Sequence, residues 1–312
     1  MTGPLDTVLD RLVVPGYTSV GYAVRRRSWT GNDPEPLALE GKRALVTGAG
    51  AGLGKQTALD LARLGAAVHL GVRDEAKGRA AAADIVAAVP GAQVEVELCD
   101  VSSLVSVRTF ASTFAGAHPS LDVLVHNAGV LPPQRQESAE GHEITLATHV
   151  LGPLLMTELL RPLLADGRVV LVSSGGMYAR PLPVDDLEYR RGDYSGTTAY
   201  ARSKRVQVEL TPRMQQRWPE LSVHAMHPGW AATPGIVSSL PGFARLVGPL
   251  LRTPAQGADT VVWLAATQPA PAGGRFWHDR APRPTSYLAR TRPSASDVDT
   301  VWAACLRACD LT

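Results

Sequence analysis

From residue 43 onward, short runs rich in β-branched and aliphatic residues alternate six times with longer, helix-like stretches. RALVT, AAVHLGV, AQVEVEL, LDVLVH, RVVLVS and LSVHAMH read as strands, and several are continuous apolar runs, as a sheet covered on both faces requires. GLGKQTALDLARLG, DEAKGRAAAADIVAAV, SSLVSVRTFASTFAG, a longer stretch from about 137 to 164, and 197–217 read as helices. Regular alternation of this kind predicts an α/β, single-domain Rossmann fold: a doubly wound parallel sheet with helices on both faces and ligands at the carboxyl ends of the strands. The 312 residues, 45% of them hydrophobic, suffice for one such core. Residues 1–40 read as a lead-in, and residues 41–312 as the Rossmann-type domain. Within it, the proline- and glycine-rich stretch at about 230–256 reads as substrate loops, and about 268–312 as a C-terminal extension.

Composition removes several function classes. The formal net charge is +2 and no block of five or six like charges occurs, so no nucleic-acid partner is expected. Arg25-Arg26-Arg27 lacks the apolar stretch that an export signal needs after it, and the chain is expected to stay in the cytoplasm. Cys99, Cys305 and Cys309 suit a reducing compartment and form neither a disulfide framework nor a four-ligand zinc set. In HEITLATH the second histidine falls at 149, outside the H-E-x-x-H spacing, so no metal is expected. No apolar run is long enough for a transmembrane segment. Leu5, Val8, Leu9, Leu12 and Val13 predict an amphipathic helix stopped by Pro15-Gly16. Such a helix docks on the protein's own surface, or else makes peripheral membrane or subunit contact.

Two motifs carry chemistry. Directly after the first strand comes TGAGAGLGK, with Thr47, Gly48, Gly50, Gly52, Leu53 and Gly54 opening a helix. Glycines there let the main chain approach a pyrophosphate, which the helix N-terminus then stabilises. The second strand ends Val72-Arg73-Asp74. A free ribose 2′-hydroxyl calls for an acid at Val72, whereas a 2′-phosphate calls for a cation, so Arg73 favours NADP(H) over NAD(H) unless Asp74 points inward instead. Further on, Tyr200 and Lys204 stand one helical turn apart on one face. With four lysines against twenty-seven arginines and only seven tyrosines, chance would produce that spacing about 0.1 times in the chain. A lysine beside a phenol lowers its pKa and fits it for proton transfer near neutrality.

With TG-x-x-x-G-x-G, HNAG at 126–129, Ser173-Ser174 and YARSK at 200–204, in matching order and spacing from about 41 to 235, the chain resembles the short-chain dehydrogenases/reductases. MHPGWAATPG, AQGADTVVWLA and GRFWHDR resemble one branch of that family more narrowly. The resemblance implies that Gly48, Gly52 and Gly54, with Thr47 and Leu53, hold the cofactor phosphates, and that Asp100 and Val101 hold the adenine. It implies that Asn127, Ala128 and Gly129 support the nicotinamide ribose and that Pro228, Gly229 and Thr233 close over the carboxamide. Ser174 would hold the substrate oxygen, Tyr200 would exchange the proton, and Lys204 would bond the ribose hydroxyls. The family also implies a homo-oligomer formed through the helices at 137–164 and 197–217.

Two departures stand out. Ser174 and Tyr200 are 26 positions apart, about twice the common spacing, and PLPVDDLEYRRGDYSG resembles the longer connection of retinol-dehydrogenase-like members. His149 stands where the family usually has an asparagine that helps to hold a relay water, so it joins the catalytic candidates, with a satisfied core histidine as the alternative. The expected function is NADP(H)-dependent interconversion of a carbonyl and an alcohol on a hydrophobic small molecule, to which Trp230, Ile236, Leu240 and Phe243 point. A non-catalytic NADP(H)-binding sensor or scaffold is the alternative. Nucleotide-sugar epimerases would want glycine at Ala51, and a serine hydrolase would want a G-x-S-x-G elbow that VSSGG lacks.

Overall fold

The computed structural model describes residues 4–29, 31–232 and 247–312. Eight strands form one sheet in the order β3-β2-β1-β4-β5-β6-β7-β8: β1 Arg43–Thr47, β2 Ala67–Val72, β3 Val94–Leu98, β4 Val123–His126, β5 Arg168–Val172, β6 Ser222–Met226, β7 Arg275–His278 and β8 Ala281–Pro282. All neighbours pair in parallel except β7 and β8. Strand order reverses between β1 and β4, where a doubly wound sheet opens its ligand crevice.

The side-chain period of two divides the core between the two faces. On β1, Leu45 packs with Phe110, Phe114, Leu154, Val206 and Trp218 on one face. Its neighbours Ala44 and Val46 pack with Leu61, Ile85, Val261 and Leu264 on the other. The first face is covered by α6 (Leu104–Ala117), α8 (Gly152–Leu160) and α9 (Gly196–Arg217); the second by α4 (Gly52–Arg63), α5 (Glu75–Ala88) and α10 (Pro254–Ala266).

Three stretches differ from the sequence-based expectation. The long helix from about 137 starts instead at Glu143, whose carboxylate accepts from the N–H groups of Thr145 and Leu146 and so caps α7 (Ile144–Leu146). Residues Ala147–Leu151 then form a π-helical turn. Pro153 has no N–H to offer the His149 carbonyl four residues earlier, and that carbonyl accepts from Gln207 Nε2 at 3.0 Å. The proline-rich extension also contributes β7 and β8 to the sheet: RFWH pairs in parallel with β6 and buries Phe276, Trp277 and His278 in succession. After it, α11 (Ala295–Ala308) packs against α9, burying Val301 and Cys305, with Cys309 just past its end, and pairing Asp299 with Arg213 at 2.6 Å. Parts of α9 and of the π-helical turn, within the helices expected to meet another subunit, are thus covered by the chain's own C-terminal helix.

The lead-in folds as α1 (Pro4–Arg11), α2 (Val13–Tyr17) and α3 (Ser19–Arg26). Pro15-Gly16 does not stop a helix but lies inside α2, where a first-turn proline lacks only an N–H that has no helical partner. Leu9 is buried while Val8 and Leu12 face solvent, and the lead-in docks through buried Tyr17, Tyr22 and Trp29 as well as through charge. Asp6 pairs with Arg25 at 2.7 Å and with Arg283 at 2.8 Å, and Arg25 reaches Asp279 at 2.8 Å. The side chains of Leu5 and Val13 lie outside the described set, as do Thr233, Ile236, Leu240 and Phe243. No helix among the described residues is long and apolar enough to cross a membrane.

Candidate active site

A cleft of about 740 Å³ opens at the carboxyl ends of β1 and β4, lined by Gly48, Gly52, Leu53, Gly54, Arg73, Asp100, Val101, Asn127, Ala128, Gly129, Ser174, Tyr200, Lys204, Pro228 and Gly229. Thr47 lies just beneath it: its Oγ1 accepts from the N–H groups of Asn127 and Ala128 at 3.0 and 3.1 Å, tying the end of β1 to the turn after β4. Asn127 Nδ2 returns bonds to the carbonyls of Thr47 and Gly48 at 3.0 and 3.3 Å. A Cβ on Gly54 would stand 2.3 Å from that amide and 2.5 Å from the Gly48 carbonyl, so only glycine permits this approach. Ala51 precedes α4 without a side-chain cap, which leaves the first-turn N–H groups of the helix available to an anion. Close glycine turn, open helix N-terminus and cleft size all fit a nicotinamide dinucleotide.

At the end of β2, Arg73 lines the cleft and Asp74 does not. Asp74 caps α5 instead, accepting from the Lys77 N–H at 3.1 Å, and this bond holds its carboxyl below the ordinary value. Asp100 accepts from Ser102 N and Oγ at 2.9 and 2.7 Å, which fixes the turn after β3 where it faces the cleft.

Opposite the glycine turn, Ser174 stands two residues past the end of β5 and Tyr200 lies in the first turns of α9, and both line the cleft. The Lys204 Nζ is buried; it donates to the Val172 carbonyl at 2.7 Å and to Gln207 Oε1 at 3.4 Å, and stands 5.7 Å from the centre of the Tyr200 ring. Burial draws its pKa down to about 7. Burial also raises the Tyr200 phenol, opposed in smaller part by the Ser174 hydroxyl. The expected lowering of the phenol by the lysine therefore does not dominate here: the ammonium is itself desolvated and directs its protons at β5 and Gln207.

His149 has both ring nitrogens engaged. Nε2 accepts from the Val130 N–H at 3.0 Å, so Nδ1 carries the proton and donates to Ser203 Oγ at 2.8 Å, which in turn donates to the Tyr200 carbonyl at 2.9 Å. Its ring meets that of Tyr200 edge to face at 5.3 Å, and burial, with the Lys204 charge second, holds its pKa well below the ordinary value. The imidazole is a strut between the turn after β4 and α9.

A family model described as short chain dehydrogenase matches residues 42–184. Dehydrogenase/reductase SDR family member 12 of Bos taurus is 39% identical over 287 residues, which is 90% of this chain and 90% of that protein. The chain belongs to the short-chain dehydrogenases/reductases. Human retinol dehydrogenase 12 is 35% identical over 78% of this chain and 79% of its own length. A Shigella flexneri short chain dehydrogenase solved with NADP superposes with a TM-score of 0.64 at 25% identity, covering 79% of this chain and all of that one. The protein is an oxidoreductase of this family acting on CH–OH groups, and the family uses NAD or NADP as cofactor.

Motif reading of this short-chain dehydrogenase misses one part of the site, the support of its 228–232 loop. Gly229 has φ +72°, and a Cβ there would lie 2.4 Å from Arg252 Nε and 2.7 Å from the Tyr17 carbonyl. That carbonyl accepts from the Trp230 N–H at 2.8 Å and from Arg252 Nε at 3.0 Å. Arg252, 1% exposed, further donates to the carbonyls of Gly16 and Pro228 and to both oxygens of Asp279. The Tyr17 ring lies across Gly175 and meets His227 edge to face at 4.5 Å, and His227 stacks on His278 at 3.7 Å. The lead-in is thus built into the wall of the cleft. No local pattern marks Arg252 or Asp279, since their partners in the lead-in lie more than 200 residues away in the chain.

Proposed function

We propose that this short-chain dehydrogenase/reductase interconverts a carbonyl and an alcohol on an apolar small molecule with NADP(H), with Tyr200 as proton donor and acceptor. The observation that carries the reading is the meeting of Ser174, Tyr200 and buried Lys204 in the lining of one dinucleotide-sized cleft, with the Lys204 Nζ 5.7 Å from the centre of the Tyr200 ring. When bound, the cofactor supplies or takes up hydride at the carbonyl carbon. Ser174 and Tyr200 would bond the substrate oxygen and stabilise its developing negative charge, and the Tyr200 hydroxyl would give up its proton to that oxygen. Lys204 would hold the ribose hydroxyls and offset the charge left on the phenol. Gly48, Gly52, Leu53 and Gly54 would hold the phosphates, Asp100 and Val101 the adenine, and Asn127, Ala128, Gly129, Pro228 and Gly229 the nicotinamide end, with Thr47 bracing the turn. We place His149 as a positioning residue, because neither ring nitrogen is left for a relay, and the serine, tyrosine and lysine do not need it as an acid. Leu131, Ile144, Ala179 and Trp230 around the cleft support an apolar substrate, as does a retinol dehydrogenase among the relatives. Three buried, unpaired cysteines support a cytoplasmic setting. Turnover across aldehydes, ketones, sterols and retinoids, read from the absorbance of the reduced nicotinamide, tests the whole; binding of cofactor with no turnover anywhere in the panel would return the sensor or scaffold reading.

Arg73 at the cleft, with Asp74 turned into its helix cap, supports NADP(H) over NAD(H). Arg73→Ala is expected to weaken NADPH binding about tenfold, at roughly the value of one charge-assisted phosphate contact, and to leave NADH binding almost unchanged. An equal loss for both cofactors by titration would remove the 2′-phosphate role.

Lys204 gives a pH signature. Its pKa of about 7 in the free protein leaves it largely neutral at pH 8, whereas an anionic cofactor beside it favours the ammonium. Binding above pH 7 should therefore take up protons, and NADPH affinity should fall as pH rises from about 7 to 9. Calorimetry in two buffers of different ionisation enthalpy measures the uptake. Lys204→Met should abolish it, and no uptake in the unaltered protein would contradict the assignment.

A further inference from the structure

On the face of the sheet covered by α6, away from the cleft, two histidines and two glutamates converge at its outer edge. His69 lies in β2 directly opposite Glu95 of edge strand β3; Glu97 follows two residues later on the same face, and His118 closes the C-terminal end of α6. One potential ligand atom from each of the four lies within 4.8 Å of every other, and no residue of the set lines the cleft. Glu97 Oε1 is 2.9 Å from His69 Nδ1 and 3.6 Å from His118 Nε2. These separations bracket the ligand–ligand edge of about 3.3 Å that a tetrahedral ion with bonds of about 2.0 Å imposes. The two imidazoles meet edge to face at 4.5 Å, and Phe114 packs against both, at 5.0 Å from His69 and 4.5 Å from His118, closing one side of the cluster with apolar surface. His69 is 1% exposed, whereas Glu95 faces solvent, so the set has a buried anchor and an open entrance.

We propose that His69, Glu95, Glu97 and His118 form a structural site for one divalent transition-metal ion of the zinc class. Two imidazoles and two carboxylates suit zinc, with cobalt or nickel as substitutes, far better than calcium or magnesium, which take oxygen ligands. The ion would displace the His69–Glu97 hydrogen bond and tie β3 to the end of α6, securing the exposed edge of the sheet. A hydrogen-bonded His–Glu–His set without an ion is the competing account, and metal binding separates the two.

The test takes the full chain, stripped by a chelator, and dialyses it against zinc chloride with elemental analysis of the retained metal. One equivalent is expected, with a rise in Tm reversed by the chelator. His118→Ala and Glu95→Gln, both at accessible positions, should each lower zinc affinity at least about tenfold while leaving turnover unchanged. Cobalt in place of zinc should give the visible absorption of a four-coordinate nitrogen–oxygen site, lost in His118→Ala. No retained zinc, or zinc retained equally by His118→Ala and by a Glu95→Gln/Glu97→Gln variant, would overturn the site.

Discussion

Tyr200→Phe is expected to lower turnover by about 10³-fold or more and to leave cofactor affinity within a few-fold of the original. The substitution removes one hydroxyl and keeps the ring that packs edge to face against His149. What is lost is the proton donor together with one of the two hydrogen bonds to the developing oxyanion. General acid–base catalysis contributes about 10²–10⁴-fold and a preorganised oxyanion donor about 10²–10³-fold, and the two terms overlap in a single group. The result is read from kcat on the best substrate of the panel, alongside cofactor titration of the same preparation. Full turnover by the phenylalanine variant would sink the mechanism, because no other tyrosine among the described residues lines the cleft.

The second large effect concerns stability. Asp279 is buried between Arg25 at 2.8 Å and Arg252 at 2.5 Å, and the attraction of both guanidiniums, with their hydrogen bonds, outweighs burial and holds its carboxyl below the ordinary range. Asp279→Asn keeps the size and tolerates the left-handed backbone at φ +51°, so it isolates the charge. Arg25 retains Asp6, but Arg252, 1% exposed, is left without a paired carboxylate. Unpairing a buried charge costs about 3–5 kcal/mol, which should lower Tm by about 10 °C in thermal unfolding followed by circular dichroism. Arg252→Met combined with Asp279→Asn removes both charges and should recover a large part of the loss. A single variant as stable as the original would show that the pair does not hold the lead-in and the 228–232 loop together.

How much of this was legible depended on the range of the interaction. Six strands and the opening of α4 followed from periodicity, because a run of alternate or continuous apolar residues is a local signal. The start of α7 was missed, since glutamate is an uncommon cap and its role depends on where its carboxylate folds back. RFWH lay among prolines and glycines, and its pairing with β6 is a contact across about fifty residues. Tyr200 and Lys204 were visible as a spacing, but the direction of the Tyr200 shift was not. Burial of both groups, which only packing sets, outweighs their proximity in the chain.

The sequence by itself determined the parallel doubly wound sheet, the glycine turn and the tyrosine–lysine pair, because each is written in spacings of a few residues that backbone geometry converts directly into position. Tertiary structure alone decided that Asp74 caps a helix while Arg73 faces the cleft, that His149 is a strut with no nitrogen to spare, and that the lead-in is fastened through Arg252 and Asp279. Those outcomes rest on which buried donors and charges find partners from distant parts of the chain. Desolvation makes that pairing obligatory without leaving a local mark of it.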